Sequence, residues 1–110
     1  MAGRKTWQHE HIGTIESGVS VRVAFDRDRG RKTDFLVQLE VLVEGRWRPV
    51  VRYDTAHGQA HRDLLAWNGR VVEKTWMPSE LDFNRCLSVA EHDVTTNART
   101  YIETYEGSKR

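Results

Sequence analysis

Hydrophobic residues recur at every second position through the first two thirds of this chain, and at every third or fourth position thereafter. Val19, Val21, Val23 and Phe25 alternate with Ser20, Arg22 and Ala24, which predicts a strand with one buried face. Phe35, Val37, Leu39, Val41 and Val43 repeat the pattern, with Leu36, Gln38, Glu40 and Leu42 pointing the other way. A short first strand is predicted from His9 to Ile15, closed by the turn residues Glu16-Ser17-Gly18. Three more follow, ending at Tyr53-Asp54, then from His61 to Trp67 and from Arg70 to Trp76. After Pro78 the period changes. Phe83, Leu87, Ala90, Val94, Ala98, Tyr101 and Tyr105 predict one amphipathic helix over 79–106, opened by a Ser79/Asp82 capping box and weak in propensity at Thr95-Thr96-Asn97.

The expected fold is α+β: an antiparallel β-meander of five or six strands with one long C-terminal helix packed on one face. The chain reads as a single domain over 1–110, with a flexible N-terminus at 1–8, the meander at 9–76, the helix at 79–106 and a tail at 107–110.

Two hairpins admit a predicted register. A three-residue loop Val43-Glu44-Gly45, with glycine at its left-handed last position, sets Leu42 opposite Arg46 and Glu40 opposite Arg48. It also places Trp47 beside Val41 on the apolar face, whereas a two-residue loop would send the tryptophan to the charged face. Pro49, lacking an amide donor, belongs at a non-bonded or irregular position. Asn68-Gly69 predicts a type I′ turn, and extending that ladder pairs Asp63 with Lys74.

Composition narrows the class. Hydrophobic residues make up 38% of the chain and charged residues 30%, enough to bury one face of a sheet but not two. The single cysteine, Cys86, excludes an internal disulfide and a multi-cysteine zinc site, and it reads as a packing thiol. The charged N-terminus lacks an apolar signal-peptide core, and no apolar run approaches the roughly 18 residues of a membrane span, so a cytoplasmic protein without membrane contact is expected. Charge is segregated: the acidic final segment follows a mildly basic front half. Between Asp26 and Asp34, four cations fall within six residues, as in a solvated hairpin loop or a phosphate-contacting one.

The run GRWRPVVRYDTAHGQAHRD, followed by a hairpin and a helix, resembles a family of small uncharacterised bacterial and archaeal proteins with a W-x-P-V-V-R-Y-D-T-A-H-G-x-x-H-x-D pattern. The likeness covers Phe35 to Trp76 well and the helix in outline. The aspartate-to-histidine turn also resembles that of TumE-type toxins of toxin–antitoxin pairs, although their richer histidine pattern is absent. That second resemblance implies an RNA-directed activity and an antitoxin-like protein partner.

Candidate chemistry gathers at this turn. His57, His61 and Arg62 are the residue types of a metal-independent ribonuclease: one imidazole as base, one as acid, and arginine against the developing charge. Arg52, Tyr53, Asp54, Asp63 and Arg48 are candidate binding residues. In the structural alternative, Asp54 caps its own turn and the histidines hydrogen-bond backbone. A metal reading would draw on His57 and His61 with Asp54 or Asp63, joined by His9 and His11, but no spacing fixes four ligands, and no metal or cofactor is assigned. The outward face is expected to carry Arg22, Arg48, Arg52 and Arg62, with Trp67 as a stacking residue for RNA. Leu36, Leu42 and Val50 on the same face suit a homodimer contact, which leaves a non-catalytic binding or scaffold module as the alternative function.

Overall fold

The computed structural model describes residues 5–109, with the side chain of His57 excepted. Six antiparallel strands run in sequence order: β1 (His9–Glu16), β2 (Val19–Asp28), β3 (Arg31–Val43), β4 (Arg46–Asp54), β5 (His61–Leu65) and β6 (Val71–Trp76). A single 3-10 turn, Ala56–Gly58, joins β4 to β5. Helices α1 (Phe83–Thr96) and α2 (Ala98–Gly107) close the chain. The predicted flexible lead-in falls partly outside the described residues. Within it, Lys5 is bonded to Asp26 at 2.7 Å, and the Gln8 amide donates to the same carboxylate.

Alternation along the strands builds one apolar layer. Phe35, Val37, Leu39 and Val51 are fully buried, and α1 lies over β3 and the adjoining part of β2 while α2 reaches β4. Each such side chain contributes about 1.5–3 kcal/mol of burial. From the helices, Cys86, Leu87, Ala90, Val94 and Tyr105 complete the core. The outermost strands differ: every residue of β1 and β6 is exposed, because the helices pack chiefly over β2, β3 and β4.

The two hairpins exchange the loop types expected for them. At β3–β4 the loop has two residues, Glu44 and Gly45, with φ of 51° and 78°, and Val43 pairs with Arg46. Positive φ at both central residues is the type I′ geometry, whose twist matches that of the flanking strands. Trp47 therefore lies opposite Leu42, and Arg48 opposite Val41. A bulge between Leu39 and Glu40 then shifts the ladder by one, so that Leu39 meets Val51 and Val37 meets Tyr53. The three-residue loop and the Glu40–Arg48 pair are thus corrected. The bulge restores the apolar face, which removes the cost that argued against a two-residue loop. Pro49 sits beside that bulge, where the missing donor is tolerated.

The β5–β6 hairpin, by contrast, uses a three-residue loop. Gly69 alone has positive φ, its amide donates to Ala66 O at 2.8 Å, and the Ala66 amide donates to Arg70 O at 2.9 Å. Trp67 accordingly lies in the loop and β5 ends at Leu65. A second bulge between Leu64 and Leu65 returns the register, and Asp63 pairs with Lys74 as predicted.

Charged residues do not break the β2–β3 hairpin. Both strands run into the basic stretch and turn at Arg29-Gly30, again with positive φ at both positions. The helix, expected as one long element, is two. Asp82, rather than Ser79, provides the N-cap by accepting from the Arg85 amide at 2.8 Å. Asn97 has φ of −109° and ψ of 18°, and its side chain donates to Asp93 at 2.7 Å, so the weak Thr95-Thr96-Asn97 run ends α1. Among the described residues, no helix is long and apolar enough to cross a membrane.

Candidate functional site

Residues 52 to 63 carry two polar clusters on opposite faces of the sheet. In the β4–β5 ladder Asp54 faces His61 and Arg52 faces Asp63, so these four side chains share the outer face, away from the helices. The neighbouring strand adds Lys74 opposite Asp63 and Trp76 opposite His61.

His61 is the centre of the outer cluster and is only 1% exposed. Its Nδ1 lies 3.2 Å from the carbonyl oxygen of Gln59, a contact that suits the tautomer with Nδ1–H as donor. Its Nε2 lies 3.0 Å from Asp54 Oδ1 and 3.5 Å from Asp63 Oδ2. The Trp76 ring covers the imidazole with centroids 5.0 Å apart. Lys74 Nζ donates to the second Asp63 oxygen at 2.8 Å and sits over Trp76. Asp54 also accepts from the Ala56 amide at 3.1 Å, which caps the turn into the 3-10 segment. Thr55 is tied in from both sides, accepting from the Phe35 amide and donating to Asp34.

On the inner face, Tyr53 and Arg62 pair across the same two strands. The Tyr53 hydroxyl donates to Asp93 Oδ2 at 2.7 Å, the Tyr101 hydroxyl donates to the same oxygen, and Arg62 donates to the Tyr101 oxygen at 3.1 Å. Arg62 also reaches Thr75 and Glu73, while its Nε has no partner among the described residues. Burial raises the Tyr53 hydroxyl well above its usual range, and the Asp93 carboxylate raises it further. Burial opposes the ionisation of Asp93. The hydrogen bonds from Tyr101, Tyr53 and Asn97 outweigh it and hold the carboxyl below its ordinary value. This network joins the sheet to both helices on either side of Asn97.

The expected catalytic trio is therefore divided. His61 and Arg62 project from opposite faces, as adjacent strand residues must, and His57 lies in the 3-10 turn with its side chain outside the described set. Arg22 and Arg52 lie on the outer face. Arg48 instead lines a hollow of about 280 Å³ on the helix side, with Trp67, Tyr105 and Lys109. His11 lines a separate small hollow, together with Glu91 and Thr95 of α1. Neither His9 nor His11 joins the His61 cluster, and Val50 belongs to the core.

Two adjoining grooves run along the outer face. The larger, of about 780 Å³, has Trp7, Trp47, Leu36, Pro49, Arg22 and Arg52 in its walls. The smaller, of about 370 Å³, shares Trp7, Leu36 and Arg52 and reaches Asp54. Arg22 is occupied by Glu10 at 2.7 Å and Glu40 at 3.1 Å. Arg52 donates to Gln38 at 2.8 Å and has no carboxylate within 4.0 Å among the described residues. Trp7 and Trp47 escaped the sequence reading: one sat in the presumed lead-in and the other was assigned to the core. Nothing in local spacing marks either as a groove wall.

These features define a small α+β domain, a six-stranded antiparallel meander backed by two helices, with a histidine–carboxylate cluster beside an outer-face groove. The chain belongs to the family described as "Domain of unknown function (DUF7718)", whose model matches residues 5–110. This bears out the likeness to an uncharacterised family, and it does not extend to TumE-type toxins. No curated protein and no solved structure matches the chain.

Proposed function

We propose that the protein is an RNA-directed binding module that works through the outer face of its sheet. The observation that supports this reading is the position of Arg52: a cation without a carboxylate partner among the described residues, in a groove walled by Trp7 and Trp47. An indole offers a sequence-tolerant stacking face for an unpaired base, and a guanidinium within the same groove takes the adjoining phosphate. An exposed antiparallel sheet face holds such groups at a fixed spacing. Catalysis by His57, His61 and Arg62 draws no support from the arrangement, since His61 is buried and Arg62 faces the helices. The test is a tryptophan-fluorescence titration with a short single-stranded oligoribonucleotide, repeated with Arg52→Ala and Trp47→Ala. Saturable quenching that weakens in both variants supports the reading, and identical titrations in all three proteins overturn it.

A second reading rests on the cross-strand pair Leu42 and Trp47, both 47% exposed. Two large apolar side chains side by side on an open sheet face suit self-association into a homodimer. Sedimentation equilibrium separates this reading from the first: a dimer that Trp47→Ser converts to monomer, without any RNA present, supports it.

A further inference from the structure

We infer that Asp54, His61 and Asp63 form a binding site for a divalent transition-metal ion. The inference stands apart from the RNA reading and rests on the ligand atoms themselves. One nitrogen and one oxygen from each carboxylate lie within 4.8 Å of one another. Ligand atoms about 2.1 Å from a shared ion stand about 3.0 Å apart at a right angle and about 3.4 Å apart at the tetrahedral angle. The separations from His61 Nε2 are 3.0 Å to Asp54 Oδ1 and 3.5 Å to Asp63 Oδ2.

The hydrogen-bond arrangement points the same way. With Nδ1 donating to Gln59 O, the Nε2 edge is aimed at two carboxylate oxygens. A proton on Nε2 serves one of those oxygens at a time, whereas a cation between the three atoms serves both. A metal-ligating histidine ordinarily gives its other N–H to a backbone carbonyl or carboxylate, which fixes the tautomer and turns the lone pair toward the ion. Gln59 O fills that place here. Asp63 is oriented in turn by Lys74 through its remaining oxygen, and Trp76 closes one side of the imidazole. Access runs through Asp54, whose side chain is 22% exposed and lines the smaller groove, so water or a groove-bound ligand completes the coordination. One nitrogen with two oxygens suits Zn²⁺, Mn²⁺ or Fe²⁺ over Ca²⁺ or Mg²⁺, which favour all-oxygen sets.

The test is calorimetric titration of tag-free, EDTA-treated, dialysed protein with ZnCl₂ in the absence of nucleic acid, so its failure leaves the RNA reading intact. The expected result is one Zn²⁺ per chain, with affinity at least ~100-fold weaker in Asp54→Asn, beyond what loss of an outer partner costs. Asp54→Asn keeps the shape of the side chain, and far-UV circular dichroism establishes that it folds. A His9→Gln/His11→Gln double variant keeps wild-type binding. Absence of binding in wild-type protein overturns the inference. So does unchanged affinity in Asp54→Asn, and so does loss of binding in the double variant, which would move the ion to the exposed histidines of β1.

Discussion

The Tyr53 hydroxyl donates to Asp93 at 2.7 Å across 40 positions of sequence, and so fastens the centre of the sheet to the last turn of α1. Tyr101, from α2, donates to the same carboxylate oxygen. One half-buried anion thus holds three elements, and loss of Asp93 leaves polar groups unpaired between sheet and helices.

Tyr53→Phe removes one hydrogen bond to a charged acceptor and is expected to destabilise the protein by about 1.5–3 kcal/mol. Urea denaturation measures the loss. Asp93→Ala is expected to exceed it, because two tyrosine hydroxyls and the Asn97 amide lose an acceptor together.

Stability should fall at both ends of the pH range. The Asp93 carboxyl is held below its ordinary value of 3.8, so its contribution is fully present above that value and is lost as pH falls through the depressed one. Tyr53 and Tyr101 are raised above their ordinary value of 10.0, so their contribution is present below it and is lost as pH rises through the raised values. Thermal unfolding from acid to alkaline pH should show both declines. Asp93→Asn should flatten the acid decline, since it removes the ionisation that drives it.

Glu44 holds φ of 51° in the β3–β4 turn, a conformation that asparagine adopts more readily. Glu44→Asn should stabilise the protein by a fraction of the roughly 1–2 kcal/mol that a left-handed conformation costs an L-residue. A rise in melting temperature supports the two-residue loop. No gain would favour a three-residue loop, in which position 44 is right-handed.

On the proposed RNA-binding reading, truncation of the groove should weaken binding in two distinguishable ways. Trp47→Ala should cost about 1–3 kcal/mol per stacked base and leave the salt dependence of binding unchanged. Arg52→Ala should reduce the slope of log affinity against log salt by roughly 0.7, the value for one phosphate contact on a single strand. Titrations at several salt concentrations measure both.

Much of the architecture was legible along the chain because strand and helix periods are local. Alternation at Val19–Phe25 and Phe35–Val43 determined which side chains face inward, and the change of period at Phe83 marked where helix begins. Asp63 opposite Lys74 followed from counting outward from a turn, and survived a mistaken loop because the bulge at Leu64/Leu65 compensated for it. The weak run Thr95-Thr96-Asn97 marked the place where the helix divides.

Only the tertiary structure decided how the faces are furnished. Bulges add a residue without altering composition or turn signal, so the bulge at Leu39/Glu40 and the outward turn of Trp47 left no mark in local spacing. Burial of His61 depends on Trp76 from the next strand and on carboxylates nine residues apart in β4 and β5, which the ladder alone brings together. Strand alternation, a property of the sequence, separates His61 from Arg62. Which of them lies on the groove side and which meets the helices was settled by the side of the sheet on which α1 and α2 pack, since that packing covers Arg62 and leaves His61 on the outer face, reached through Asp54.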